Sequence, residues 1–190
     1  MKKIRDHFFY KAKRENFKAR SIYKLEEIQK KYKCIKKRQV ICDIGCAPGS
    51  WLQYISKLVG PAGKVIGIDI KELEGLELDN MEFHKADIFS FDFSVFNYWF
   101  DGITSDAAPN TTGIKGTDSA RSFALIERAV EISEEKLKKG GFFIGKFLQG
   151  VPLGELRNLV KPLFQKHAFF KPASSRKESS EIFIIAQEKH

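Results

Sequence analysis

The sequence predicts an α/β fold: a doubly wound, mostly parallel sheet of seven strands with helices on both faces. Three observations carry this expectation. Short β-rich runs alternate with stretches of helical spacing from residue 40 onward. The first run ends in a glycine-bearing turn that opens a helical stretch. Neither an internal repeat nor a low-complexity linker divides the pattern. Residues 1–190 therefore predict one domain, with a basic helical segment (1–39) packed on a 40–190 core.

Taken in order, the first 39 residues predict one or two helices. V-I-C-D-I (40–44) is a strand and G-C-A-P-G-S (45–50) its turn. W-L-Q-Y-I-S-K-L-V (51–59) sets Leu52, Ile55 and Val59 on one helical face, and G-P-A-G (60–63) breaks it. K-V-I-G-I-D-I (64–70) and E-F-H-K-A-D-I (82–88) are the second and third strands. F-D-G-I-T-S-D-A-A-P (100–109) is a fourth, running into a loop rich in Asn, Thr and Gly up to Asp118. Residues 119–138 space Phe123, Ile126, Val130 and Leu137 as a helix, with Gly140-Gly141 as its stop. G-F-F-I-G-K-F (141–147) is the fifth strand, 153–165 a further helix, and H-A-F-F-K (167–171) and E-I-F-I-I-A-Q (181–187) the closing strands.

Length and composition set the class. A chain of 190 residues suits one domain, and 43% hydrophobic with 30% charged residues describes a globular protein, not a disordered tail or a fibre. No stretch approaches the roughly 18–20 apolar residues of a membrane-spanning helix. The charged N-terminus M-K-K-I-R-D-H-F-F-Y lacks the apolar centre of a secretory signal, which predicts a cytoplasmic protein; a monomer is expected. Cys34, Cys42 and Cys46 cannot all pair and form no C-x-x-C, so reduced cysteines in or near a core are expected and no metal site.

The net charge of +9 is uneven. The first 40 residues hold eleven lysines and four arginines against Asp6, Glu15, Glu26 and Glu27, a balance of +11. The rest of the chain balances at −2. Phe8, Phe9, Tyr10, Phe17, Tyr23 and Tyr32 are interleaved with the bases. Cations separated by aromatics suit a polyanion whose bases stack, so nucleic acid is the expected partner, although a solvated helix face gives the same charge run. A weaker basic stretch comprises Lys161, Lys166, Lys171, Arg176 and Lys177.

In an open α/β sheet, ligands lie outside the carboxyl ends of the strands where the strand order reverses. The first strand delivers D-I-G-C-A-P-G (43–49) there, and Gly45 and Gly49 let backbone approach a ligand closely. Asp69, at the end of the second strand, is placed to accept hydrogen bonds from both hydroxyls of an adenosine ribose. A dinucleotide site wants G-x-G-x-x-G, whose amides cradle a pyrophosphate. Here the loop is G-x-x-x-G and contains Pro48, which has no N–H; that favours a nucleoside cofactor without phosphate, S-adenosylmethionine. Asp87 is placed for the adenine amino group, and equally for a turn.

Asp106 follows the fourth strand and Lys146 ends the fifth, so both project into one crevice. A lysine inside F-F-I-G-K-F is unusual, because lysine is rarely buried unless paired. Glu181 opens the last strand, and Lys24 lies in R-S-I-Y-K-L. Singly, each also reads as an ion-pair partner at a strand end or, for Lys24, on a helix surface. Together, R-S-I-Y-K-L-E-E-I (20–28), D-I-G-C-A-P-G-S-W (43–51), S-D-A-A-P-N (105–110), G-K-F-L-Q-G (145–150) and S-S-R-K-E-S-S-E-I-F (174–183) resemble the FtsJ (RrmJ) family of S-adenosylmethionine-dependent ribose 2′-O-methyltransferases.

The resemblance runs from about Lys13 to Gln187 and implies several things. A catalytic Lys-Asp-Lys-Glu tetrad would fall on Lys24, Asp106, Lys146 and Glu181. Cofactor contacts would fall on Gly49, Trp51, Asp69, Asp87 and Asp106. The substrate would be the A-loop uridine of 23S rRNA in the 50S ribosomal subunit; a tRNA or an mRNA cap keeps the class with another RNA, and a non-catalytic RNA-binding assembly factor is the alternative outside it. Because a ribose hydroxyl is a weak acid, a general base near neutral pKa helps. The expectation is that Lys146 is that base, its pKa lowered by burial beside the Lys24 cation. Asp106 would orient Lys146, and Glu181 would hold the lysines or the ribose.

Overall fold

In the computed structural model, which describes residues 7–176 and 178–190, the apolar runs pair into a single seven-stranded sheet of order β3-β2-β1-β4-β5-β7-β6. The strands are β1 (Val40–Ile44), β2 (Lys64–Asp69), β3 (Met81–Lys85), β4 (Phe100–Ser105), β5 (Leu137–Leu148), β6 (Phe164–Phe170) and β7 (Glu181–Lys189). β1 to β5 are parallel, and β7 runs antiparallel between β5 and β6. Strand order reverses at β1, flanked by β2 and β4, which opens a crevice above their carboxyl ends.

The helices are α1 (His7–Arg14), α2 (Ile22–Tyr32), α3 (Ser50–Val59), α4 (Lys115–Lys136) and α5 (Leu153–Val160). Alternation along β5 divides the core. Phe142 and Ile144 face a cluster built from Leu25 and Ile28 of α2 and Leu52, Ile55 and Val59 of α3. Phe143 and Phe147 face Ile126, Ala129 and Val130 of α4 and Leu156 and Val160 of α5. The period of two therefore sends each half of the strand to a different helical layer. Lys146 has the parity of Ile144, and Glu181 pairs across β5–β7 with Leu148, so both side chains lie on the α2 layer. No helix among the described residues is long and apolar enough to cross a membrane.

Several boundaries differ from expectation, and β3 ends at Lys85, three residues before the expected Ile88. α4 begins at Lys115, four residues early, because Asp118 folds the preceding loop onto itself: its carboxylate accepts from the amides of Thr112 and Gly113. Gly140-Gly141 is not the helix stop. α4 ends at Lys136, Leu137 is already extended and pairs with Phe100, and Gly140 at φ +75 sits in the irregularity before Phe142 resumes pairing at Gly102. The 153–165 helix ends at Val160, and β6 begins at Phe164.

Candidate active site

The local chain path brings the four predicted catalytic side chains together. β4 ends at Ser105 and its continuation delivers Asp106, whose amide donates to Ile44 O at 3.1 Å. β5 supplies Lys146, β7 supplies Glu181, and the first turn of α2 supplies Lys24 from above. Lys24 Nζ donates to Glu181 Oε2 at 2.5 Å. Lys146 Nζ lies 3.6 Å from Glu181 Oε1 and 2.9 Å from Asp106 Oδ1, and donates to the Asp106 carbonyl at 2.6 Å. The result is one chain of alternating sign: Lys24, Glu181, Lys146, Asp106. Ser179 Oγ adds a hydrogen bond to Glu181 Oε2 at 2.9 Å.

This arrangement contradicts the expected electrostatics of Lys146. Its side chain is only 6% exposed, and burial acts to lower its pKa, but the carboxylates of Asp106 and Glu181 outweigh burial and hold the ammonium above the ordinary lysine range. Lys24 does not crowd it, because Glu181 stands between the two cations and neutralises Lys24. Lys146 is an ammonium in the resting site. Burial alone would push Glu181 up, yet Lys24 and Lys146 more than reverse it and hold the carboxyl at about 2.

The consequence for stability has a definite sign. Because the folded pKa of Glu181, about 2, lies below its ordinary 4.5, its contribution is present above pH 4.5 and is lost as pH falls from there toward 2. Urea midpoints of Glu181→Gln are expected to fall less between pH 5 and 3 than those of the unsubstituted protein. Equal slopes would refute the assignment.

The crevice between β1 and β4 forms a cleft of about 310 Å³ beside this chain, walled by Gly45, Ala47, Asp69, Asp87, Asp106 and Ala107 among others. Gly45 is required twice over. It sits at φ +71, and a Cβ on it would lie 2.5 Å from Ala107 Cα. Gly45→Ala is expected to destabilise the fold by about 1–3 kcal/mol and to weaken donor binding at least tenfold, read by thermal melting and calorimetry. Asp69 faces the cleft while its oxygens accept from the amides of Ala47 and Lys71, each at 2.8 Å. An ionised carboxylate has about four acceptor directions, so two remain for ribose hydroxyls. Asp87 lines the cleft and also forms a turn, accepting from the Phe89 amide at 3.0 Å, so the turn does not remove it from the cleft wall.

Two expected cofactor contacts stand apart from the cleft wall. Trp51 is 2% exposed, its indole N–H donates to Ser21 O at 2.9 Å, and its ring stacks on Phe183. Its side chain is core, and its backbone amide lies in the first turn of α3, where no intrahelical acceptor exists. Gly49, at φ +104, packs under Leu76, so the acidic 71–79 stretch serves as a strap over the turn, pinned by Lys18 Nζ to Glu74 O at 2.9 Å.

Sequence reading missed Asp43. It is wholly buried, with Oδ1 accepting from Thr104 Oγ1 at 2.6 Å and Oδ2 lacking a hydrogen-bond partner among the described residues. Burial, reinforced by Asp106 and Asp69, raises its pKa well above the carboxylate range. A carboxylate in the otherwise apolar V-I-C-D-I was the available signal. The glycine cradle, Asp69 and the unsatisfied Asp43 oxygen beside the turn fit a nucleoside bearing a polar tail.

The N-terminal aromatics differ from expectation. Tyr23 is buried with Ala12 and Ile22, Phe8 and Phe17 pack on that cluster, and Tyr32 meets Phe170. Tyr10, 58% exposed, is the open ring of the set. Their cations lie over these rings instead, as Lys11 does over Tyr23 at 4.2 Å. Of the basic segment, Lys2, Lys3 and Arg5 lie outside the described residues, as does Lys177 of the second stretch.

Comparison with known proteins gives a consistent answer. The family model described as FtsJ-like methyltransferase matches residues 17–189. A protein named ribosomal RNA large subunit methyltransferase E from Desulforapulum autotrophicum is 45% identical over 95% of this chain and 90% of its own length. Its namesake from Bdellovibrio bacteriovorus is 44% identical over 97% of each. Among solved structures, a ribosomal RNA methyltransferase from Plasmodium falciparum superposes with a TM-score of 0.79 at 30% identity, over 91% of this chain and 98% of that one.

Proposed function

Because the chain belongs to the FtsJ-like methyltransferase family, we propose that it methylates a ribose 2′-hydroxyl of large-subunit ribosomal RNA, the A-loop uridine of 23S rRNA in the 50S particle, using S-adenosylmethionine. The observation that carries this reading is the ion-paired chain Lys24–Glu181–Lys146–Asp106, set at the edge of a nucleoside-sized cleft. We infer further that it acts in the cytoplasm as a monomer, with residues 1–39 as an RNA-binding segment on the 40–190 core.

When bound, S-adenosylmethionine supplies a methyl group already activated by a sulfonium charge. The residues then have to hold one hydroxyl oxygen in line and give its proton somewhere to go. Lys146, as an ammonium, would donate to one lone pair of the 2′-oxygen and leave the other free to attack. No prior deprotonation is needed, because the O–H becomes strongly acidic as the oxygen acquires its third bond. A carboxylate suffices as acceptor, and Glu181 is the one that faces the acceptor side, sharing a wall with Lys24, Arg20 and Arg176. Asp106 bridges cleft and tetrad and fixes Lys146 through both its side chain and its carbonyl. Asp69 and Asp87, which line the cleft, would hold the nucleoside.

The test is transfer of isotopically labelled methyl to 50S particles that lack their native modifications, with the RNA then digested to nucleosides. The expected product is a single 2′-O-methyl nucleoside. Label on a base, or on tRNA in preference to the particle, would overturn the proposed reaction or its substrate.

A further inference from the structure

Beyond the tetrad the acceptor side continues as a groove. The cavity that holds Arg20, Lys24 and Glu181 shares the wall Glu178–Ser180 with a second cavity of about 700 Å³. Lys115, from the start of α4, and Lys171, just past β6, both line the second cavity. We propose that it seats the nucleotide adjoining the methylated one on a single RNA strand, with the intervening phosphate held by Lys115 and Lys171. The inference rests on reading the tetrad as a ribose methyltransferase site.

Continuity is the first argument. A ribose presented to Lys146 between Lys24 and Glu181 has its neighbour one backbone step away, and the shared wall puts the second cavity there. Charge is the second. Lys115 and Lys171 are exposed and, among the described residues, neither is engaged in an ion pair, so both remain available to an anion. Asp118, the nearest carboxylate on α4, is occupied by Thr112 and Gly113 and holds the loop in place. Glu178 faces both cavities and repels phosphate from the shared wall, toward the two lysines. The third argument is the remaining lining. Thr111, Ser119, Gln149 and Ser180 offer neutral donors and acceptors suited to a sugar and an unstacked base edge. A volume of this size falls in the range of cavities that enclose small organic groups.

The experiment compares the full chain with the double variant Lys115→Ala/Lys171→Ala on unmodified 50S particles. We expect KM for particles to rise about tenfold and kcat to stay within about twofold. Donor affinity should be unchanged, and the salt slope of RNA binding should become shallower by about 0.7 per phosphate contact released. Lys115→Arg/Lys171→Arg should restore KM, and Lys139→Ala, an exposed site at the opposite end of the sheet, should behave as the parent. An unchanged KM, or a fall in donor affinity matching the rise in KM, overturns the subsite. Failure of the underlying reading looks different: the parent protein itself then transfers no methyl to a ribose, and the subsite falls with it.

Discussion

Replacing Lys146 with alanine is expected to slow methyl transfer by about 10²–10³-fold while leaving donor affinity within a few-fold of the parent. The side chain is the hub of the charged chain, 2.9 Å from Asp106 and 3.6 Å from Glu181, so its loss leaves Asp106 without its cation, Glu181 with Lys24 alone, and the acceptor oxygen unaimed. Lys146→Arg is the informative companion. An arginine keeps a fixed positive charge but cannot act as a base near neutral pH. If the ammonium orients the hydroxyl, the arginine variant should retain about a tenth of the rate, limited by fit into a 6%-exposed slot. A base-catalysed reaction would leave it as inactive as alanine. Lys146→Met, uncharged and of similar length, should match alanine. Thermal melting of all three separates an activity effect from a folding one.

Trp51→Ala should be the most damaging single change to stability among the predicted site positions, at about 3–5 kcal/mol. The ring is buried to 2%, stacked on Phe183 at 5.8 Å, and donates to Ser21 O, thereby tying α3, α2 and β7 together. For a chain of this size the melting temperature should fall by about 10 °C. Trp51→Phe, which keeps most of the packing and loses the N–H, should cost about 1 kcal/mol and bind donor normally. A stable phenylalanine variant with tenfold weaker donor binding would show that the indole itself reaches the ligand.

Much of the fold was legible because its signals are local and periodic. Leu52, Ile55 and Val59 share a helical face in the sequence and a cluster in the structure. The strands from Val40 to Lys189 were placed within a few residues at each end. The boundaries that moved were set by tertiary contacts: Asp118 closing its own loop, and Leu137 drawn into the sheet by Phe100. The site shows the same division. Strand ends put Asp106 and Lys146 in one crevice, and the family resemblance added Lys24 and Glu181, but which charge touches which is a matter of a few ångströms. The difference between a lysine beside a lysine and a lysine between two carboxylates reverses its pKa shift. The fate of the aromatics was likewise invisible, because interleaving with cations describes both a stacking platform and a packed helix pair, and Phe8, Phe17 and Tyr23 take the second course. Asp43 was overlooked because a strand carboxylate at the head of a glycine turn reads as part of the turn until its burial is known.

The measurement that bears most directly on how the tetrad works is the pH dependence of the single-turnover methylation rate, with donor and 50S particles saturating. With Lys146 held as an ammonium and Glu181 as a carboxylate across the neutral range, the rate should be flat from about pH 6 to pH 8.5. A tenfold rise per pH unit over that window, abolished in Lys146→Arg, would mean that the lysine must shed its proton before the methyl moves.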